Sequence, residues 1–262
     1  MHDSVTTSLL DAFLQQLKTA PSSALLLDYD GTLAPFCVDR TRAFPYPGAI
    51  SILEEIVQSG RTKVIVISGR PILELRALLA PMHNLELWGT HGLERQLTDG
   101  SYSCAQINEE DAVSLTKARE WIVAAGLLSR AEFKLGGIAI HWRGLPTAEA
   151  RSVQLLTLEG WTKIAEQSRL KLLQFEAGLE LRVSHPNKGD AVSSILAGLE
   201  PRTPVAYLGD DLTDEDAFRV LNGHGLTVLV KATYRETIAN TWIRPPQELI
   251  DLLERWLINI SG

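Results

Sequence analysis

The sequence has little cysteine, no excess of positive charge and no long apolar run. Its two cysteines, Cys37 and Cys104, have no metal-type spacing, so we expect a reduced, cytoplasmic protein. A net charge of -7 and a pI near 5.4 argue against a nucleic-acid partner held by a broad basic surface. An anionic substrate would therefore need local positive groups or a metal ion to offset the negative charge.

No apolar run approaches the ~18 residues of a membrane span, so we expect no contact with a membrane. The N-terminus lacks the basic and apolar regions of a secretion signal. Helical spacing there predicts an amphipathic first helix packed on the core, with the apolar positions Leu9, Leu10, Phe13, Leu14 and Leu17. With 262 residues, 45% of them hydrophobic, the chain is long enough for one large domain or two modest ones.

Two carboxylates close the first apolar run. Ala24–Leu27 has no polar residue, which is typical of a buried strand in a parallel sheet. Asp28 and Asp30 follow it, and positions i and i+2 of a strand point to the same side. Gly31 allows the backbone to turn, and Thr32 adds a hydroxyl. Like charges this close repel, so the pattern indicates a bound cation, whereas an ordinary turn containing Asp is the simpler alternative.

Strand and helix patterns alternate in two parts of the chain. The first part predicts helix 48–59, strand 63–67, helix 72–79 and strand 85–88, and the second predicts helix 188–199, strands 205–208 and 226–230, and helix 247–257. This alternation predicts an α/β fold with a doubly wound, Rossmann-like parallel sheet.

The strand–helix alternation is interrupted between these two parts. The residue pattern there predicts helices from Asn108 to about 125 and from about 147 to 168. It also predicts the strand pairs 132–134 and 138–143, then 170–175 and 179–184. That order suits a small antiparallel α+β unit. We therefore expect a core domain formed by residues 1–103 and 184–262, and an inserted α+β domain formed by residues 104–183.

Each core strand whose carboxyl end can be recognised finishes in polar residues, and ligands of open α/β sheets bind at that edge. Together with a lysine at a helix start, they predict one site, made of Asp28, Asp30, Ser68, Lys188, Asp210 and Asp211. Taken singly, each has a simpler explanation. Ser68 could cap a helix, Lys188 could be a solvated surface lysine, and the acids after residue 209 could complement a helix N-terminus.

This set of side chains is suited to phosphoryl transfer. Magnesium prefers oxygen ligands and often takes a few carboxylates with phosphate oxygens and water. A carboxylate can attack phosphorus and form an aspartyl-phosphate intermediate. A second carboxylic acid two residues away can protonate the leaving alkoxide and later deprotonate water. Positioning and charge neutralisation supply most of the remaining catalysis.

Four stretches resemble, in the same order, the motifs of haloacid-dehalogenase-like phosphatases: Asp28–Leu33, Ser68, Lys188 and Gly209–Asp214. The resemblance implies Asp28 as nucleophile and Asp30 as general acid/base, with Ser68 and Lys188 holding the transferring phosphoryl group. It also implies Mg²⁺ as cofactor and a C2-type cap in the inserted domain. The implied metal ligands are Asp28, the backbone carbonyl of Asp30, and Asp210, with Asp211 or Asp214 completing or supporting the shell.

A narrower resemblance, to trehalose-6-phosphate phosphatases, spans most of the chain. It covers Leu26–Pro35, Ser68–Arg70, Gly89–Glu94, Lys134 with Ile138–Arg143, Glu180–Gly189 and Gly209–Phe218. Val183 departs from it, since a proline is common there. The resemblance implies hydrolysis of trehalose 6-phosphate, the last step of trehalose biosynthesis, by a monomer that has a trehalose-phosphate synthase as a possible partner. Implied substrate-binding residues are Thr32, Arg70, His91, Glu94, Lys134, His141, Arg143 and Glu180.

Other functions fit parts of the pattern. The substrate could be another sugar phosphate, such as sucrose 6-phosphate or glucosylglycerol phosphate, or the enzyme could be a phosphohexomutase with a similar cap. A non-catalytic domain that senses a sugar phosphate belongs to a different class. The acids and the lysine argue against a sensor, because a sensor does not need a nucleophile. His141 could equally be a structural histidine, and Glu94 a charge at the rim.

Overall fold

The structure, a computed structural model, describes residues 2–37, 39–175 and 177–261, with the backbone alone for residues 2–8. The chain divides into a core unit, Met1–Ser103 with Asn187–Gly262, and an inserted unit, Cys104–Pro186. The second junction lies three residues beyond the expected one. Ser184 belongs with the inserted unit because its hydroxyl donates a hydrogen bond to the carbonyl of Arg169.

The elements of the two units follow one another along the chain. The first part of the core unit contains α1 (His2–Thr19), β1 (Ser23–Leu27), α2 (Ala49–Gln58), β2 (Thr62–Ile67), α3 (Ile72–Leu78), β3 (Glu86–Gly89) and β4 (Glu94–Gln96). It ends in β5 (Tyr102–Cys104), whose last residue is the first of the inserted unit. The inserted unit contains α4 (Glu109–Ala124), β6 (Ala131–Lys134), β7 (Gly137–His141), α5 (Thr147–Glu166), β8 (Lys171–Phe175) and β9 (Gly178–Arg182). The core then resumes with α6 (Lys188–Ala197), β10 (Val205–Gly209), α7 (Glu215–Leu221), β11 (Leu226–Val230), β12 (Thr241–Ile243) and α8 (Gln247–Ile260).

The core sheet has the strand order β12-β11-β10-β1-β2-β3-β4-β5. Neighbouring strands from β12 to β3 run parallel, and β4 is antiparallel to β3. The predicted α/β fold with a parallel sheet is therefore confirmed. The sequence analysis missed β4, β5 and β12, each only three residues long and too short to carry a period-2 pattern.

Alternate residues of β1 face opposite layers of helices. Leu25 and Leu27 join a cluster with apolar residues of α1, α2, α3 and α8, while Ala24 and Leu26 join one with α6 and α7. A strand buried on both faces needs an unbroken apolar run, because successive side chains point to opposite sides. The doubly wound arrangement is thus confirmed. It fixes the position of β1 between the two helix layers, and hence the position of Asp28, which directly follows this strand.

The first and last helices meet at one half-buried arginine. In α1 the predicted apolar stripe lies in the core, except that Leu9 is exposed. The guanidinium of Arg61 donates hydrogen bonds to the carbonyls of Leu17 (3.0 Å), Ala20 (2.8 Å) and Ile260 (2.6 Å). It thereby satisfies carbonyl groups that the ends of α1 and α8 leave without helical partners.

The inserted unit is a four-stranded antiparallel sheet with the order β6-β7-β9-β8, accompanied by α4 and α5. Asn108 caps α4, as its position predicts, by accepting a hydrogen bond from the backbone N–H of Asp111 (2.9 Å). Trp161 of α5 is fully buried and packs edge-on against Trp121 of α4. Within the described part of the chain, no helix is both long and apolar enough to cross a membrane.

The contact of α8 with the sheet gives the first test. Trp256 is 1% exposed, packs on Phe13 and donates its indole N–H to Thr62 Oγ1 (3.0 Å). We expect Trp256→Ala to lower the free energy of unfolding by about 3–5 kcal/mol, because it leaves a large cavity. Urea unfolding followed by circular dichroism measures this change. Ile258→Ala, at a position 68% exposed, should change it by less than about 0.5 kcal/mol; equal losses in the two variants would contradict the assigned packing of α8.

Candidate active site

Three neighbouring strands bring most of the predicted core residues to one edge of the sheet. Asp28 directly follows β1, Ser68 follows β2 and Asp210 follows β10, and these strands lie side by side in the order β10-β1-β2. Because the strands are parallel, their carboxyl ends share one edge. All three side chains are buried there.

Lys188 lies between two carboxylates. Its Nζ donates hydrogen bonds to Asp28 Oδ1 and Asp214 Oδ1, each at 2.7 Å, and the residue is 2% exposed. The alternative of a solvated surface lysine is therefore wrong. Burial alone would lower the pKa of Lys188, but the carboxylates of Asp214 and Asp28 raise it above its ordinary value, so the group stays charged.

A capping box fixes where α6, and hence Lys188, begins. The side chain of Asn187 accepts hydrogen bonds from the backbone N–H groups of Gly189 (2.8 Å) and Asp190 (3.2 Å). The carboxylate of Asp190 in turn accepts one from the backbone N–H of Asn187 (2.8 Å). These reciprocal bonds satisfy orphan donors at the helix start and set the direction in which the first helical side chain leaves.

Asp214 has a fully occupied carboxylate. Oδ1 accepts hydrogen bonds from Lys188 Nζ and from the hydroxyl of Tyr207 (2.6 Å). Oδ2 accepts from the backbone N–H groups of Asp210 (3.1 Å) and Asp211 (2.9 Å). A carboxylate has about four acceptor positions, and four donors fill them here. Asp214 therefore orients the side chain of Lys188 and the backbone turn formed by Asp210 and Asp211, called the 210–211 turn below.

Asp210, by contrast, has an oxygen without a partner. Its Oδ1 is buried and makes no hydrogen bond to any described residue. Burial, then the nearby Asp214 and Asp211 carboxylates, raise the pKa of Asp210 to about 7. Gly31 permits this approach, because a Cβ at this glycine, which has φ +85°, would lie 2.3 Å from Asp210 Cγ.

The geometry around Asp28 and Asp210 suits a cation. Ligand oxygens of Asp28, Asp210 and Asp214 lie within 4.8 Å of one another. Burial raises the pKa of Asp28 well above its usual range, and the Asp214 and Asp210 carboxylates add to this while Lys188 opposes it. A bound cation would favour the ionised carboxylates and would satisfy the unpaired oxygen of Asp210.

Two cations that the sequence analysis missed lie beside the same turn. Arg235 donates hydrogen bonds to the backbone carbonyls of Asp210 (3.1 Å) and Asp211 (2.7 Å), and Lys231 Nζ lies 3.4 Å from Asp210 Oδ2. Both follow β11 in the sequence, without a motif that marks them. Their contact depends on β11 pairing beside β10, which spacing alone does not reveal.

Asp30 forms a two-pronged ion pair with Arg70. Arg70 Nε donates to Asp30 Oδ2 and Nη2 donates to Asp30 Oδ1, each at 2.6 Å. Arg70 Nη1 contacts the carbonyl of Arg40 (2.9 Å) and the carboxylate of Glu74 (3.3 Å). The guanidinium of Arg70, expected to contact substrate, is therefore engaged by the protein itself.

Two hydroxyls lie in the buried part of this edge. Ser68 Oγ accepts a hydrogen bond from the backbone N–H of Arg70 (3.2 Å), which leaves its own hydrogen available for donation. Ser68 does not cap α3, whose first turn is preceded by Pro71. Thr32 is fully buried, and its Oγ1 has no hydrogen-bond partner among the described residues.

His91 and Glu94 stabilise the turn after β3. The backbone N–H of His91 donates to the carbonyl of Ser68 (2.9 Å), and the imidazole lies over Gly69, where a Cβ would be 2.6 Å from the ring. Glu94 accepts hydrogen bonds from the hydroxyls of Thr90 and Tyr102. Both predicted substrate residues thus make local contacts in the core unit.

The inserted unit gathers its predicted residues on one face of its sheet. Gly137 of β7 pairs on one side with Lys134 of β6 and on the other with Arg182 of β9. Glu180 precedes Arg182 by two residues in β9. Opposed residues, and residues two apart, share a face. Lys134 Nζ donates to Glu180 Oε1 (3.1 Å). Arg143 is half-buried, two residues beyond the end of β7.

The same face carries residues that the sequence analysis missed. Glu132 Oε2 lies 2.8 Å from His141 Nε2, so a hydrogen bond joins the histidine to Glu132 on this face. Arg182 is also there. Period-2 spacing from Lys134 and Glu180 would have identified both of them.

Comparison with known proteins gives the family. A model of the trehalose-phosphatase family matches residues 26–242. The chain is 30% identical to a probable trehalose-phosphate phosphatase C of Arabidopsis thaliana, over 95% of this chain and 81% of that relative. It is 28% identical to a trehalose-phosphate phosphatase of Mycobacterium tuberculosis (strain H37Rv), over 82% of this chain but 55% of that relative.

A solved structure supports the fold. The C-terminal domain of the trehalose-6-phosphate phosphatase of C. albicans superposes with a TM-score of 0.80 and 20% identity, covering 95% of this chain and 96% of that one. At this identity the likeness concerns the fold alone. The family model, however, extends from the end of β1 to β12, through both units. This chain therefore belongs to the trehalose-phosphatase family.

Proposed function

We propose that this chain hydrolyses trehalose 6-phosphate to trehalose and phosphate, the last step of trehalose biosynthesis. The observation that carries the reaction type is the buried Asp28 carboxylate, paired with the Lys188 ammonium at the carboxyl edge of a parallel sheet. The substrate is supported by the family match and by two relatives, one named a probable trehalose-phosphate phosphatase C and the other a trehalose-phosphate phosphatase.

Membership of this family implies a divalent metal, and we propose Mg²⁺. Its ligands would be the carboxylates of Asp28 and Asp210 and the backbone carbonyl of Asp30, with Asp211 supporting the shell. Asp214 would act indirectly, because donors already fill its carboxylate. When bound, the cation would neutralise charge on the phosphate oxygens.

In the first half-reaction, we propose that the Asp28 carboxylate attacks phosphorus opposite the sugar oxygen. The bond between phosphorus and that oxygen breaks, and Asp30, in its protonated form, gives its proton to the leaving sugar oxygen. Lys188 and the Ser68 hydroxyl hold the phosphoryl oxygens. The products of this step are trehalose and a phosphoryl group bound covalently to Asp28.

In the second half-reaction, the Asp30 carboxylate takes a proton from a water molecule, whose oxygen attacks phosphorus. The bond between Asp28 and phosphorus breaks, which releases phosphate and returns Asp28 as a carboxylate. Asp30 is then protonated again and ready for the next turnover. Lys188 stabilises the carboxylate that departs, because its ammonium is 2.7 Å from Asp28 Oδ1.

Recognition of the sugar would fall to the inserted unit, acting as a cap. Its polar sheet face offers the ammonium of Lys134 and the carboxylate of Glu180, with Arg143 beyond the end of β7. Such directional donors and acceptors suit the hydroxyls of a disaccharide. His141 would contribute through its contact with Glu132.

The cysteines Cys37 and Cys104 are free, which supports a cytoplasmic location.

A panel of sugar phosphates tests the substrate. With Mg²⁺ present, we expect kcat/KM for trehalose 6-phosphate to exceed that for sucrose 6-phosphate and glucosylglycerol phosphate by about 100-fold or more, since a site built for hydrogen bonds leaves polar groups unpaired with the wrong sugar. Release of inorganic phosphate is the measurement. Equal or better turnover of another sugar phosphate would overturn the assignment of trehalose 6-phosphate.

The same phosphate-release assay tests the proposed nucleophile and separates the alternative functions. Asp28→Asn should lower turnover by about 10⁴-fold or more, because an amide oxygen is a poor nucleophile. Asp251→Asn, an exposed change on α8, is the matched control and should leave turnover unaltered. A phosphohexomutase would release no free phosphate, and a sensor would bind the sugar phosphate without turnover.

The roles assigned to Asp210 and Asp214 predict that the two variants lose stability under different conditions. Mg²⁺ at about 100 times its Kd should add about 2.7 kcal/mol to the free energy of unfolding. We expect Asp210→Asn to lose most of this increment while the metal-free protein stays as stable as before. Asp214→Asn should lower the stability of the metal-free protein by about 3–5 kcal/mol, because its new amide group would face donors in a buried network.

Thermal and urea unfolding, each with and without Mg²⁺, provide the readout. Asp216→Asn is the control, because its contact with Arg219 lies at the surface and should contribute less than about 1 kcal/mol. A large loss of metal-free stability in Asp210→Asn, with little in Asp214→Asn, would reverse the two roles.

A further inference from the structure

Arg70 is a buried arginine whose hydrogen bonds converge on the proposed acid/base. It is 2% exposed and makes four side-chain hydrogen bonds, two of them to Asp30. The ring of Tyr29 lies beneath the guanidinium at 5.5 Å. With five N–H donors in a guanidinium, little capacity remains for a sugar or a phosphate.

The geometry of the ion pair restricts Asp30. A carboxylate that holds one hydrogen bond can still rotate about its terminal torsion, whereas a parallel pair of bonds from a guanidinium fixes its plane. Both oxygens of Asp30 are held in this way, at 2.6 Å each. The Asp30 side chain is nevertheless 28% exposed, so Asp30 is not buried away from a proton donor or acceptor as Arg70 is.

Arg70 is itself held from behind. Its Nη1 is fixed by the backbone carbonyl of Arg40 (2.9 Å) and by Glu74 (3.3 Å), which lies one turn further along the chain. Glu74 also contacts the Arg40 side chain (3.4 Å). A buried arginine needs such partners because its desolvation is costly, and an apolar residue would fill the same space at lower cost. The pattern is therefore better suited to orienting a carboxylate than to packing.

We propose that Arg70 is a positioning residue for Asp30, an inference that rests on the proposed function. Arg70 orients the carboxylate for the two proton transfers, to the leaving oxygen and from the attacking water. It takes no part in the attack of Asp28 on phosphorus. Its importance therefore depends on how much the leaving group needs a proton.

The test compares leaving groups of different acidity. p-Nitrophenyl phosphate releases an anion that needs no proton, phenyl phosphate releases a more basic one, and trehalose 6-phosphate releases an alkoxide. The measured quantity is kcat/KM, which includes the step in which the leaving group departs. We expect both Arg70→Lys and Arg70→Met to lower kcat/KM by less than about threefold for p-nitrophenyl phosphate and by about tenfold for phenyl phosphate. For trehalose 6-phosphate we expect a loss of about 100-fold, following the usual size of acid–base catalysis.

Three further variants complete the design. Arg76→Met, at a neighbouring position on α3, should leave all three values unaltered. Glu74→Gln should cause a smaller loss with the same order across the substrates, since it loosens Arg70 without removing it. Arg70→Met combined with Asp30→Asn should lose no more than Asp30→Asn alone, because both changes act on one proton transfer.

The possible outcomes separate this inference from the proposed function. Equal losses for all three substrates would overturn the positioning role, and so would failure of both Arg70 variants to fold, as judged by circular dichroism. A wild-type protein that hydrolyses the aryl phosphates but not trehalose 6-phosphate would instead overturn the substrate. In that case the two aryl phosphates still test Arg70.

Discussion

The ammonium of Lys188, held between the carboxylates of Asp28 and Asp214, is the interaction on which the site depends. Burial of these charges is favourable only when every remaining hydrogen-bonding position is satisfied. Asp214 meets that condition and Asp210 does not, since one of its oxygens lacks a partner among the described residues. Three buried acids around one ammonium leave negative charge in excess. The proposed nucleophile, the proposed metal site and the orientation of the turn formed by residues 210–211 therefore have a common cause.

Much of the core was predictable because its signals are local. The apolar run before Asp28 predicts a strand buried on both faces, and alternate residues of β1 do face opposite layers. Parallel strands bring their carboxyl ends together, so Ser68 and Asp210 could be assigned to the same edge as Asp28 from sequence alone. The inserted antiparallel sheet followed from the change in rhythm after β3.

The parts that could not be predicted depend on contacts between residues far apart in the chain. No spacing shows that Arg70 reaches Asp30, 40 residues earlier, or that the carboxylate of Asp214 is filled by four donors. Arg235 reaches the 210–211 turn through strand order, which the sequence does not encode locally. Glu132 differs from these, because its period-2 relation to Lys134 was visible and was overlooked.

A phosphoryl group bound to Asp28 is the species that tests the proposed chemistry most directly. Enzyme mixed with Mg²⁺ and trehalose 6-phosphate would be quenched in acid during turnover and treated with borohydride, which reduces an acyl phosphate to an alcohol. Aspartyl phosphate would thereby become homoserine, which peptide mass spectrometry can locate. We predict homoserine at position 28, formed only when substrate is present. Homoserine at another acid, or none in enzyme that is releasing phosphate, would contradict Asp28 as the nucleophile.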